Sequence, residues 1–194
     1  MKIASCSRYN SLVIQPRYAL VAYLKNPVGE FVERLRRELH PERLHLEAHV
    51  SVLPPRSLQG SEASARETIE EVCSQIDPFE VTLGEVETFC PVTPTVFIRV
   101  AHGAYRLREL HDRLSVRALA ATEDWPYMPH LTIVKMSVES QAEQAFEIAQ
   151  QRWSECDCNH RILITELTFV REEAPNRWKD LAGVPLGRKL VPSK

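Results

Sequence analysis

His49-Val50-Ser51-Val52 and His130-Leu131-Thr132-Ile133 are one short device written twice: an imidazole, an apolar residue, a hydroxyl and a second apolar residue. Side chains two apart on a strand point to the same side. Val50 and Val52 therefore form one face of the first segment, and His49 with Ser51 the other. The second segment divides in the same way, with Leu131 and Ile133 inward and His130 and Thr132 on the opposite face. A lone His-x-Ser or His-x-Thr is common by chance. Two of them on alternating strands point to a pair of imidazoles held on rigid backbone, each beside a hydroxyl, which suits the movement of two protons around a phosphodiester without a metal.

Working outward, each motif lies between stretches of helical sequence. Residues 1–16 carry no period, whereas 17–25 are apolar and β-rich and read as a central strand. Asn26-Pro27 supplies a cap and a proline at the first helical position, and Val28, Phe31, Leu35 and Leu39 recur at helical spacing until His40-Pro41. Residues 44–53 alternate into the first motif and break at Pro54-Pro55. Ser64 with Glu67 reads as a capping box for a helix whose face is Ala65, Ile69, Val72 and Ile76. Two strands, 79–89 and 95–101, are joined by the proline-containing 90–94. A third helix is marked by Leu107, Leu110, Leu114, Ala118 and Ala121, and residues 124–129 then lead into the second motif. Ser137 reads as the cap of a fourth helix with Ala142, Ala145, Phe146, Ala149 and Trp153 on its buried stripe. Residues 162–170 read as one last long strand, and 176–190 as one or two short strands around Gly183 and Gly187.

The order is β-α-β-α-β given twice and then a tail, with one histidine strand between two helices in each half. This weak duplication predicts an α+β, bilobal fold: two pseudo-symmetric antiparallel sheets, helices on their outer faces, and a central cleft lined by one histidine strand from each lobe. Residues 1–194 are expected to form a single domain of two lobes, with the chain crossing between lobes near 90–95 and again in the second half.

Composition narrows the function classes. A chain of 194 residues with 44% hydrophobic and 26% charged residues has enough apolar material for a core. Its net charge of −2 argues against gripping long nucleic acid by bulk electrostatics, but leaves room for a small anion or a single RNA end. No apolar run approaches the roughly 20 residues of a spanning helix. The faint lipoprotein-like box Ile3-Ala4-Ser5-Cys6 has no hydrophobic region before it. Five cysteines, an odd number in a chain that does not need staples, predict a reducing, cytoplasmic setting.

The segments Glu42-Arg43-Leu44-His45-Leu46-Glu47-Ala48-His49-Val50-Ser51-Val52 and Tyr127-Met128-Pro129-His130-Leu131-Thr132-Ile133 resemble the two-histidine (2H) phosphoesterase superfamily, in its 2′-5′ RNA ligase-like or cyclic nucleotide phosphodiesterase branch. The element order from Arg17 to about Leu186 is similar to that family's as well. The resemblance implies hydrolysis or transfer at a 2′,3′-cyclic phosphate or a 2′-5′ linkage, with no metal and no cofactor, on RNA ends or cyclic nucleotides. It marks His49 and His130 as catalytic and Ser51 and Thr132 as phosphate-binding. Ser51 stands where Thr is more usual in the family, which keeps the hydroxyl and loses a methyl. The alternative expectation is a non-catalytic RNA-end or nucleotide-binding module using the same cleft. A monomer with no membrane association is expected.

Four further side chains are candidate substrate contacts: Phe89, Tyr127 and Trp178 as aromatic faces for a base, and Arg171, after the last long strand, as a phosphate contact. Trp125 and Lys135 are weaker candidates. His40 and His45 read as a helix end and a strand entry, and His102 and His111 as solvated helix surface. The charged positions among 30–38 read as the wet side of an amphipathic helix. Cys156-Asp157-Cys158-Asn159-His160 lacks a second pair of ligands at structural-zinc spacing and reads as a strand start.

Overall fold

The computed structural model of the protein describes residues 16–41 and 47–187. The N-terminal stretch with its Cys6 box, the segment 42–46 with His45, and residues 188–194 lie outside the described residues. In chain order the elements are β1 (Tyr18–Tyr23), α1 (Pro27–Leu39), β2 (His49–Arg56), α2 (Glu62–Cys73), β3 (Phe79–Thr88) and β4 (Thr95–His102). There follow α3 (Ala104–Leu114), a 3₁₀ turn at Arg117–Leu119, β5 (His130–Lys135), α4 (Glu139–Ser154), β6 (Arg161–Ile164), β7 (Glu166–Ala174) and β8 (Arg177–Pro185). Every strand pair is antiparallel, in the order β6-β3-β4-β5-β2-β1-β7-β8. The fold is α+β, and its two antiparallel halves, β6-β3-β4-β5 and β2-β1-β7-β8, join along the two histidine strands into one sheet.

That seam is narrow. Among the described residues β2 and β5 share one Cα pair, Val50 with Leu131, whereas β1 and β2 share five. Helices reinforce it crosswise, because α1, which follows β1, packs against β5, and α3, which follows β4, packs against β2. The alternate strand residues Leu20, Ala22, Val50, Val52, Ile98, Leu131 and Ile133 join Val28, Val32, Leu35, Ile69, Leu107, Leu110 and Leu114 from the helices in one core cluster. Helices therefore cover the face opposite the histidines.

Several local expectations are corrected. Residues 90–94 are the turn between neighbouring β3 and β4, so the chain does not cross between halves there. It crosses after α2, and again at Thr165. The stretch read as one strand over 162–170 is divided at Thr165, because its buried positions change phase. Ile162 and Ile164 are buried on β6, Leu167 and Phe169 on β7, and no single pleat can turn both sets inward. Pro54-Pro55 do not end β2, which continues to Arg56, paired with Tyr18. By then β5 has diverged from that edge, and a missing N–H donor costs little. The cap of α2 is Ser61, whose Oγ accepts from the Ser64 backbone N–H at 3.1 Å. α3 stops at Leu114, and Ala118 reaches the core from the 3₁₀ turn instead.

The charged side of α1 holds the largest surprise. Arg36 is 4% exposed and does not face water. Its Nε donates to the Ile133 carbonyl at 3.1 Å and its Nη2 to the Thr132 carbonyl at 2.6 Å, tying α1 to the second histidine strand. Burial pulls its pKa down to about 10. Replacing a buried, hydrogen-bonded cation leaves carbonyls without a donor. Arg36→Ala is expected to lower stability by about 2–4 kcal/mol, read as a lower urea midpoint at unchanged slope.

Candidate active site

The antiparallel seam decides which side chains meet. With Val50 across from Leu131, one step outward places His49 across from Thr132 and Ser51 across from His130. Each imidazole thus faces the other motif's hydroxyl, and the two histidines lie on a diagonal, their Cα atoms about 7–8 Å apart by sheet geometry. All four side chains are half-buried, while Val50, Val52, Leu131 and Ile133 between them are buried. The pairing continues outward on both sides. Tyr23 pairs with His49 and Val21 with Ser51 from β1, and Phe97 pairs with Thr132 and Arg99 with His130 from β4.

Both imidazoles are oriented by the same contact. Nδ1 of His49 lies 2.7 Å from the Glu47 carbonyl and Nδ1 of His130 lies 2.7 Å from the Met128 carbonyl. A carbonyl can only accept, so each Nδ1 carries the proton and donates it. Nε2 is then left with its lone pair in each neutral ring. Burial lowers both pKa values. His49 falls to about 4, since desolvation is joined by the positive charges of Arg36 and of His130 when protonated; His130 is lowered by desolvation. Near neutral pH the free site holds two neutral bases. A bound anion would pull both back toward the charged form.

The aromatic surround is asymmetric. Phe89 stacks on Phe97 with centroids 4.1 Å apart, and both rings meet His130 edge-on at 5.1 Å. Phe89 therefore stands beside the histidine pair. On the other flank Tyr23 meets His49 edge-on at 6.1 Å and its hydroxyl donates to Asp180 at 2.8 Å. Trp178 packs on the Ala19, Val21 and Val170 cluster, on the same face but beyond β1.

Two of the candidate contacts are engaged elsewhere. Tyr127 donates its hydroxyl to the Ser51 carbonyl at 2.8 Å and stacks on His111 at 4.2 Å, so it fastens the loop before β5 to β2. His111 is not solvated surface: it is 7% exposed, with ring nitrogens 3.0 Å from Asp112 and from Glu123. Arg171 bonds Glu62 of α2 at 3.1 Å and Glu173 at 3.4 Å, on the helical side away from the histidines. Trp125 is exposed, and His102 ends β4 in solvent. Tyr23, Phe97 and Arg99 were not singled out from the sequence. They sit at alternate positions of strands that were legible, and only the missing register hid them. Arg99 also pairs with Glu87 at 2.6 Å.

Comparison with known proteins places the chain in a family and a fold. The family model described as the 2′-5′ RNA ligase superfamily matches residues 24–176. A protein of Halalkalibacterium halodurans named as a candidate phosphoesterase is 28% identical over 118 residues, 60% of this chain and 68% of its own length. A protein of Oceanobacillus iheyensis with the same description is 25% identical over 122 residues, covering 61% and 70%. Among solved structures, E. coli LigT complexed with NADP+ superposes at a TM-score of 0.59 with 19% identity, over 89% of this chain and 99% of that one. The same protein complexed with 3′-AMP gives 0.58 and 17% over the same shares. At such identities these structures speak for the fold.

In the ligand-free protein, long-range ¹H–¹⁵N NMR is expected to show both rings as the Nδ1–H tautomer, with His49 titrating near pH 4 and His130 below about 6.5. Because the fold favours neutral His49, its contribution to stability is present above the unfolded-state value of about 6.5 and is lost as pH falls toward 4. Replacing His49 by Gln should flatten that part of the stability profile.

Proposed function

This chain belongs to the 2′-5′ RNA ligase superfamily of phosphoesterases, and from that premise we propose that it opens 2′,3′-cyclic phosphates or cleaves 2′-5′ linkages at RNA ends or in nucleotides. The observation that carries this reading is the register of Val50 with Leu131, which sets two imidazoles and two hydroxyls on one face. Two ligands of the E. coli neighbour support this reading: 3′-AMP and NADP+ carry a phosphate on a 3′ or 2′ oxygen, which is what ring opening of a 2′,3′-cyclic phosphate leaves behind, whereas its ATP complex speaks only for nucleotide binding.

In the mechanism, the Nε2 lone pair of one histidine takes a proton from water as it attacks phosphorus. The other histidine, protonated at Nε2 in the complex, delivers its proton to the departing ribose oxygen. Ser51 and Thr132 donate to the non-bridging oxygens as charge builds on them. His49, pressed by the positive charges of Arg36 and of the protonated partner histidine, fits the base, and His130, lowered by desolvation alone, fits the acid. The phosphate itself supplies the negative charge that makes a protonated His130 accessible. Phe89 beside His130 and Tyr23 beside His49 offer apolar walls for a base or ribose. The chemistry asks for no metal and no cofactor. No described helix is long and apolar enough to cross a membrane, and the protein is read as a cytoplasmic monomer.

His49→Ala and His130→Ala are each expected to reduce turnover of a 2′,3′-cyclic nucleotide by about 10²-fold or more with the fold retained. Ser51→Ala and Thr132→Ala should cost about 10- to 100-fold, and activity should persist in chelator. Full turnover in both histidine variants would overturn the reading. Saturable binding by the wild type with no product would favour a binding module instead. The kcat/KM profile should be a bell centred below about pH 6.5. The kcat profile should lie at higher pH, because bound phosphate raises both histidines.

A further inference from the structure

Cys156, Cys158 and His160 occupy the segment between α4 and β6, packed toward α1 and α4 and away from the histidine pair. One ligating atom from each, two sulfurs and a ring nitrogen, lies within 4.8 Å of the others, and all three residues are half-buried. The imidazole is held in place from several sides. Its ring stacks on Trp153 with centroids 4.1 Å apart, Trp153 is fixed by donating Nε1–H to the Gly84 carbonyl at 2.8 Å, and the His160 carbonyl accepts from the Leu83 N–H at 3.0 Å. Its Nε2 is nevertheless buried with no hydrogen-bond partner among the described residues. A buried polar atom without a partner costs about 1–3 kcal/mol, and structures tolerate such an atom where a ligand satisfies it.

The two sulfurs close a disulfide, with Cα atoms 5.4 Å apart and the cysteines two positions apart in sequence. The sequence reading, which took the odd number of cysteines as the sign of a reducing setting, did not expect this bridge. Cys73 and Cys90 do remain free. A bridge across so short a loop removes little chain entropy from the unfolded state, so stabilisation does not account for it. A solvent-open pocket of about 390 Å³, lined in part by Phe31, Arg34, Cys156, Asp157 and Cys158, gives a path to the sulfurs.

We propose that the reduced Cys156 and Cys158, with His160, form a three-ligand site for a thiophilic divalent cation of the zinc type, with water in the fourth position. Two thiolates, one imidazole and an open position are a donor set such cations accept. Disulfide and metal exclude each other. A dithiol opens the site: one of its sulfurs attacks the bridge, the Cys156–Cys158 bond breaks, and the reductant closes to its own disulfide. Two electrons and two protons pass to the protein, and the entering cation displaces both thiol protons. This site stands apart from the phosphoesterase reading and holds whether or not that reading survives.

The test is an anaerobic titration of the full-length chain with Co²⁺, followed by competition with Zn²⁺, after reduction by dithiothreitol and its removal. One equivalent of Co²⁺ should bind with thiolate charge-transfer and tetrahedral visible bands. The bands should vanish in C156S and in C158S, and affinity should fall about tenfold or more in H160Q. They should persist in C6S and C90S, and the disulfide form should not bind. Circular dichroism checks each fold, with C158A and H160N as second replacements if serine or glutamine perturbs it. Bands that survive either cysteine change, H160Q binding like the wild type, equal binding by the disulfide form, or no uptake by the reduced chain at micromolar metal would each overturn the assignment.

Discussion

The contact on which this molecule depends is the pairing of Val50 with Leu131 across the middle of the sheet. Side chains alternate along a strand, so a slip of one residue at that seam would turn one motif's histidine and hydroxyl into the core and its valines or leucine out to solvent. The ladder there is short, and the neighbouring structure fixes its register. Arg36 of α1 holds the carbonyls of Thr132 and Ile133, and Tyr127 holds the carbonyl of Ser51, so each histidine strand is clamped by a side chain from another part of the chain. Packing on the helical face and chemistry on the open face are thus consequences of one alignment.

Electrostatics follow from the same geometry. The clamps that fix the strands also bury them, and burial lowers the pKa of both histidines. Arg36 contributes twice: its hydrogen bonds hold β5, and its charge adds to the pressure that keeps His49 neutral. Two neutral imidazoles beside a buried cation favour an entering anion, and in the proposed mechanism that anion restores the protonation that acid-base chemistry needs. On the proposed reading, preference for a phosphate ester follows from the folding requirement at the seam.

Much of this was legible in the residues. Alternation in the two motifs identified the histidine face, and the fourth helix and strands β3 to β5 follow from periodicity and prolines. The failures have physical causes. A strand's period does not reveal its partner, so Tyr23, Phe97 and Arg99 were hidden although their strands were found. Arg36 and His111 were read as surface because charge and polarity predict exposure, and both are buried with hydrogen-bond partners that only tertiary structure supplies. The break at Thr165 was visible as a change in phase of the buried positions, but a run of apolar residues masked it. Cys156, Cys158 and His160 were set aside for want of a second pair of ligands at structural-zinc spacing, a criterion suited to closed structural sites and not to an open one.

Underlying the functional account is convergence: Nε2 of His49 and Nε2 of His130 must address opposite sides of one phosphorus. A crystal structure with a nucleoside 2′,3′-cyclic vanadate measures this directly. The account predicts vanadium between the two rings, each Nε2 about 3 Å from a different apical oxygen, with the hydroxyls of Ser51 and Thr132 on the equatorial oxygens. Vanadate seated elsewhere, or touching one histidine while the other points away, would contradict it.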